Sequence, residues 1–217
     1  MLASRAPAGV PEVTRKFNEQ LNTAADSSAI PMISLPFRRP QRRNIAALYG
    51  VIVAQARHPA FYRDYGVPDT VDGRLEMLML HLLLALPHLG SQPGQQLFDR
   101  FCQDIDDNFR EMGVGDLAVP KKMQKMAAGF YGRAGAYQAA LADQDPAVLE
   151  AAIARNVFST DVVPLGARSL AAYMREASLR FGQLSAGNVA QGAFDFPDPA
   201  AAALGDKSGA RLPGHDR

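Results

Sequence analysis

The chain has 217 residues, of which 47% are hydrophobic and 21% charged, a composition that excludes global disorder and allows one packed domain. Its 23 basic and 22 acidic side chains leave a net charge of +1, which excludes a protein that holds nucleic acid through a chain-wide basic surface. Because Cys102 is the only cysteine, no disulfide can form within the chain, and a disulfide-stapled secreted scaffold is excluded.

Residues 1–41 are predicted to form an irregular, basic N-terminal arm. Prolines at positions 7, 11, 31, 36 and 40 interrupt any long helix there. We expect no secretory signal peptide, since the N-terminus has no continuous apolar stretch. Four arginines cluster at or just beyond the end of the arm, at Arg38, Arg39, Arg42 and Arg43. They indicate either weak contact with an anionic membrane or a solvated entrance to the first helix.

Apolar residues at helical spacing predict an all-α fold, a compact single-domain bundle of six to eight helices over residues 42–182. The first helix spans about residues 42–57. The loop that follows contains Gly66, which suits the end of a helix, and Thr70 or Asp72, which can cap the next one.

A helix over residues 73–86 is predicted to be the centre of the bundle. The stretch from Leu75 to Leu86 is apolar on nearly every side, which is typical of a core helix. Its twelve residues would rise about 18 Å, too little for the roughly 30 Å hydrocarbon layer of a bilayer.

Four further helices are predicted over about residues 95–112, 120–141, 146–156 and 167–182. No segment alternates between apolar and polar residues, so no strand is expected. From Gln183 onward Gly, Ala, Pro and Asp dominate and apolar periodicity ends. This composition predicts a disordered C-terminal tail over residues 183–217.

No catalytic residue, metal site or cofactor is predicted. Glu76 and His81 lie five residues apart, so on a helix their side chains point about 140° away from each other, and no Glu-x-x-His pair occurs. Cys102 falls on the apolar stripe of the 95–112 helix, where a cysteine is usually a core residue. His81 is expected to be a hydrogen-bonded core histidine.

Several blocks of the sequence resemble the ubiquinol–cytochrome c chaperone family. The blocks are YGVIVAQAR at 49–57, PAFY at 59–62, GVPDTVDGR at 66–74, EMLMLH at 76–81, LFDRFCQDIDDNFREMGVGD at 97–116, LAVPKKM at 117–123 and FYGRAGAY at 130–137. The block at 97–116 is the most specific of them. The resemblance covers about residues 42–180.

The resemblance implies an assembly chaperone for the cytochrome bc1 complex that binds cytochrome b or another subunit and has no enzymatic activity. For mitochondrial members it also implies a small partner protein. For a bacterial member it implies a cytoplasmic location with peripheral contact at the inner membrane, and for a eukaryotic member the matrix side. Polar positions within the matching blocks are the candidate partner-binding residues. They are Arg57, Asp69, Asp72, Arg74, Glu76, His81, Asp104, Asp106, Asn108, Arg110, Glu111, Asp116 and Arg133.

The same sequence features also fit other interpretations. The same polar residues can serve as helix caps and ion pairs. Met123 and Met126 can lie on an adaptable client-binding surface or in the core. The chain can also be a general protein adaptor, or a helical-bundle enzyme that uses the acidic helix over 95–112.

Overall fold

The computed structural model describes residues 39–192 and 194–200, which form helices joined by loops and contain no strand. The arm up to residue 38, residue 193 and the chain beyond residue 200 lie outside the described residues, as do the side chains of residues 39–43 and 190. The proposed membrane contact of the four arginines therefore falls outside the described residues. The helices are α1 (Arg39–Ala56), α2 (Pro59–Arg63), α3 (Val71–Ala85), α4 (Ser91–Glu111), α5 (Val119–Ala142), α6 (Pro146–Val157), α7 (Leu165–Gly182) and α8 (Ala186–Ala190), with a 3-10 turn at Leu86–His88.

The predicted bundle is confirmed, with seven α-helices over the described residues 39–182. α3 packs against α1, α6 and α7 and lies at the centre. Met77, Leu80 and Leu82 on this helix are fully buried, whereas Leu83 is only half-buried. The α4 helix packs on α1 and α5, and α6 connects α5 to α7. Within the described part of the chain, no helix combines the length and the apolar character needed to cross a bilayer.

Local signals set most of the helix ends. The Thr70 side chain caps α3 by accepting a hydrogen bond from the Gly73 amide, at 3.1 Å. Gly113 has a φ of +78° where α4 ends, a conformation that favours glycine. The predicted start of α1 at residue 42 is three residues late, because Pro40 is tolerated in the first turn of a helix, where its missing N–H has no partner to lose.

The predicted disordered tail is wrong for residues 183–192 and 194–200. The helix α8 follows α7 directly, and Val189 on it is fully buried. Phe194 and Phe196 are each only 8% exposed and join the hydrophobic core. An extended segment buries its side chains without helical periodicity, so the Gly- and Pro-rich composition concealed this contact.

Candidate functional site

The predicted partner-binding residues separate into two groups on the surface and one residue in the core. One group surrounds the loop between α2 and α3, residues 64–70, with Arg57 on one side and Arg133 of α5 on the other. The second group lies at the C-terminal end of α4 and in the loop after it. His81 lies inside the bundle.

Two close backbone approaches hold the α2–α3 loop in place. A Cβ atom on Gly73 would lie 2.0 Å from the carbonyl oxygen of Pro68, and one on Gly166 would lie 1.7 Å from that of Tyr65. Only glycine allows these contacts, because real Cβ atoms do not approach an oxygen so closely. The loop is therefore clamped between the first turn of α3 and the first turn of α7.

The first depression on this face has a volume of about 460 Å³ and a basic lining. Arg74 Nε donates to Asp69 Oδ1 at 2.6 Å, and the Arg74 guanidinium lies 5.8 Å from the centre of the Tyr62 ring. This hydrogen bond lowers the pKa of the Asp69 carboxyl. Arg57 is exposed and has no ion-pair partner among the described residues. The lining is Arg57, Pro59, Tyr62, Arg63, Asp69 and Arg74.

The second depression, of about 450 Å³, lies on the other side of the loop. Asp72, Glu76 and Arg133 from the predicted set line it. Arg133 holds Glu76 through both carboxylate oxygens, with Nε donating to Oε2 at 2.6 Å. The two side chains are 23% and 13% exposed. Burial raises the pKa of Glu76 and the guanidinium opposes this rise. This pair fastens α5 to α3 beneath the depression.

The second group is largely bonded to itself and to the fold. Asp104 Oδ2 accepts a hydrogen bond from the Tyr49 hydroxyl at 2.8 Å, so it fastens α4 to α1. Arg110 Nε donates to Asp106 at 2.7 Å, and its Nη1 donates to Asp116 at 2.5 Å. Asn108 and Glu111 are exposed, and the Asn108 amide donates to the Asp104 carbonyl at 2.6 Å. Asp104 therefore has a structural role, and binding of a partner is not needed to explain its polar side chain.

His81 is a core residue with 0% exposure, so it is not a surface contact in this state. Its Nδ1 lies 2.7 Å from the Met77 carbonyl, which can only accept, so Nδ1 donates. Its Nε2 then accepts from the Tyr173 hydroxyl at 2.9 Å. Burial lowers the pKa of His81 to about 4, so the ring is neutral at neutral pH. The predicted hydrogen-bonded core histidine agrees with this geometry.

Comparison with known proteins decides the family. The family model for the ubiquinol-cytochrome c chaperone matches residues 63–196, well over half of the chain. The chain belongs to the ubiquinol-cytochrome c chaperone family. It is also similar to the Cbp3 homolog from Brucella abortus, a crystal structure, with 35% sequence identity and a TM-score of 0.65. That similarity covers 86% of this chain and 96% of the other. No functionally curated protein matches the chain significantly.

Family membership makes this protein a chaperone for assembly of the bc1 complex and not an enzyme. Burial raises the pKa of the Cys102 thiol to about 12, so this thiol is protonated and is a poor nucleophile at neutral pH. Over the described residues, no group of three or more His, Cys, Asp or Glu side chains could hold a metal ion.

Sequence reasoning missed several residues that line the chaperone's two depressions. Tyr62 is the last residue of the matching block at 59–62 and Arg63 follows it, so the block itself could have drawn attention to both. Arg155 and Ser159 line the second depression from the end of α6 and the loop after it. Ser159 has a φ of +53°, which is uncommon for a residue other than glycine. No local sequence pattern predicts that residues 155–159 lie next to the α2–α3 loop.

Proposed function

We propose that this chaperone binds cytochrome b during assembly of the ubiquinol–cytochrome c reductase complex, through the face that carries the two depressions. The family match and the similarity to the Cbp3 homolog support the process. The main support for this binding face is that six of the predicted partner-binding residues, from four separate sequence blocks of the family resemblance, lie together around the α2–α3 loop. They are Arg57, Asp69, Asp72, Arg74, Glu76 and Arg133.

The charges on this face suit orientation of a partner. Three guanidinium groups and one carboxylate line the first depression, so it favours an anionic group. Arg57 needs no rearrangement to accept a partner's carboxylate, because no ion pair among the described residues holds it. Glu76 and Arg133 already hold each other, so we assign them to support of the face and not to direct contact.

The first test replaces two exposed arginines. The Arg57→Ala/Arg74→Ala protein should keep its melting temperature, because exposed side chains contribute little to stability. It should recover several-fold less cytochrome b in a pull-down from cells, because the partner loses its charged anchors.

Arg180→Ala is the matched control. Arg180 is also an exposed arginine, paired with Glu176 at 2.6 Å. It lies 14 residues along α7 from Gly166, or about 21 Å from the clamped loop. The control should recover cytochrome b as the wild type does. Equal recovery by all three proteins would exclude this face as the binding surface.

We also propose that the chaperone acts at the cytoplasmic side of a bacterial inner membrane, in weak contact with anionic lipid through Arg38, Arg39, Arg42 and Arg43. Each basic side chain near an anionic surface contributes about 1 kcal/mol of attraction. Flotation with vesicles should therefore recover the full chain when the lipid is anionic and not when it is zwitterionic. Replacement of the four arginines by Ser should abolish that difference, and a difference that persists would place the contact elsewhere.

A further inference from the structure

Residues 194–199, which we call the strap, lie in a groove of the bundle. Residues 194–198 have no regular secondary structure, and Pro199 is helical. Phe194 and Phe196 are buried against Phe181 of α7, with ring centres 4.7 and 5.2 Å from its ring. Phe196 also covers His81, at 5.1 Å between the ring centres. The strap thus packs directly on the buried His81.

Two side chains of the groove bind the main chain of the strap. Gln55 Nε2 donates to the Pro197 carbonyl at 3.1 Å, and the Tyr65 hydroxyl donates to the Pro199 carbonyl at 3.0 Å. Among the described residues, no backbone–backbone hydrogen bond joins the strap to the helices. Contacts to carbonyl groups recognise an extended chain whatever its side chains are, as in other peptide-binding grooves.

The groove is preorganised by the buried hydrogen bonds beneath it. The Tyr173 hydroxyl donates to His81 Nε2 and accepts from Gln55 Nε2 at 3.0 Å. Gln55 is therefore held with its second N–H directed at the strap carbonyl. His81, Tyr173 and Gln55 come from three helices, α3, α7 and α1, so the groove is a property of the whole bundle.

The strap shows which side chains the groove accepts. Phe194, Phe196, Pro197 and Pro199 are buried, whereas Asp195 and Asp198 are exposed. Phe194 and Phe196 share a face, because alternate residues of an extended chain point the same way. The groove accepts two aromatic rings two residues apart, with prolines after them, and it leaves the charged side chains in solvent.

We propose that this groove is a second client-binding site, which the strap occupies in the free chaperone, and that its client is an extended, aromatic segment of the newly made membrane protein. The inference rests on the proposed function. Membrane proteins carry aromatic residues at both edges of their spans, and these are exposed before the chain inserts. A client segment with two aromatic side chains two residues apart would displace the strap and make the same ring contacts and carbonyl hydrogen bonds.

A peptide-binding measurement tests this groove without cytochrome b. The probe is a fluorescein-labelled peptide with the sequence of residues 194–200, FDFPDPA, added to the full chain. In the wild type the tethered strap competes at an effective concentration of about millimolar, so binding should be weak. In Phe194→Ala/Phe196→Ala the strap is weakened, and the peptide should bind at least tenfold more tightly. A peptide with both phenylalanines replaced by alanine should not bind either protein.

Phe98→Ala is the matched control, since Phe98 is a partly buried aromatic residue that packs against Phe130 and Tyr131, away from the strap. It should bind the peptide as weakly as the wild type. If the double variant does not fold, Phe196→Leu keeps an apolar side chain and should give a smaller increase of the same sign. A folded strap variant that binds no better than Phe98→Ala would overturn the proposal. That result would leave the chaperone function and its first binding face untouched.

Discussion

The buried His81 predicts that the fold loses stability in mild acid. Its pKa falls from 6.5 in the unfolded chain to about 4 in the fold, because burial disfavours the charged ring. Between these two values the unfolded chain binds the proton and the folded chain does not. The stability is therefore fully present above pH 6.5 and declines as the pH falls towards 4.

The size of this loss follows from the two pKa values. One pH unit corresponds to about 1.4 kcal/mol per proton, so the loss of stability from His81 alone between pH 7.5 and 4.5 is about 2–3 kcal/mol. Urea unfolding at a series of pH values measures it, for the wild type and for His81→Gln. Glutamine does not titrate, and its oxygen can still accept from Tyr173, so the variant should show a correspondingly flatter curve.

His88 gives a useful comparison, because burial also lowers its pKa and it stacks on Phe181. His88→Gln should flatten the curve in the same direction but leave the His81 contribution in place. Parallel curves for the wild type and His81→Gln would refute the reasoning, because they would mean that this ring titrates equally in the folded and unfolded chain.

Three further predictions concern the clamp, the core and the second polar group. Gly166→Ala should destabilise the fold by about 1–3 kcal/mol in urea unfolding, because its Cβ atom would collide with the Tyr65 carbonyl oxygen. Gly135→Ala is the control and should stabilise the fold by about 0.5–1 kcal/mol, because nothing lies near its Cβ position on the helix. Equal effects of the two substitutions would show that the close approach of Gly166 to the α2–α3 loop does not constrain the fold. Leu80→Ala, at a fully buried site, should cost about 2–5 kcal/mol in the same assay, and a smaller loss would mean that the core collapses around the cavity. Asp106→Ala/Arg110→Ala should leave the thermal melting temperature nearly unchanged, because an exposed ion pair contributes little, and should recover cytochrome b as the wild type does, because both residues lie outside the proposed binding face. Weaker recovery with an unchanged melting temperature would extend the binding surface to the end of α4, and a large drop in melting temperature would assign both residues to the fold.

The core and the helix caps could be predicted from sequence, because they depend on local patterns. The apolar run of α3 predicts its central place, and Thr70 stands where a cap is needed. The α4 helix begins at Ser91 and not at residue 95, because Pro93 is compatible with a first turn although it reads as a breaker.

The grouping of the polar residues could not be predicted, because it depends on contacts between distant parts of the chain. Glu76 and Arg133 are 57 residues apart, and Tyr49 and Asp104 are 55 apart. The position of the strap was even harder to predict, because its contacts span a still longer stretch of sequence. Gln55 binds Pro197 across 142 residues, and no periodicity in the sequence indicates that an extended tail fills a groove.

The amount of assembled bc1 complex in a strain that lacks this chain is the most direct test of the chaperone function. Native electrophoresis and the cytochrome b absorbance of membranes measure it. We expect deletion to lower the assembled complex several-fold, the wild-type gene to restore it, and the Arg57→Ala/Arg74→Ala gene to restore it only partly. Normal bc1 content in the deletion strain would contradict the proposed function.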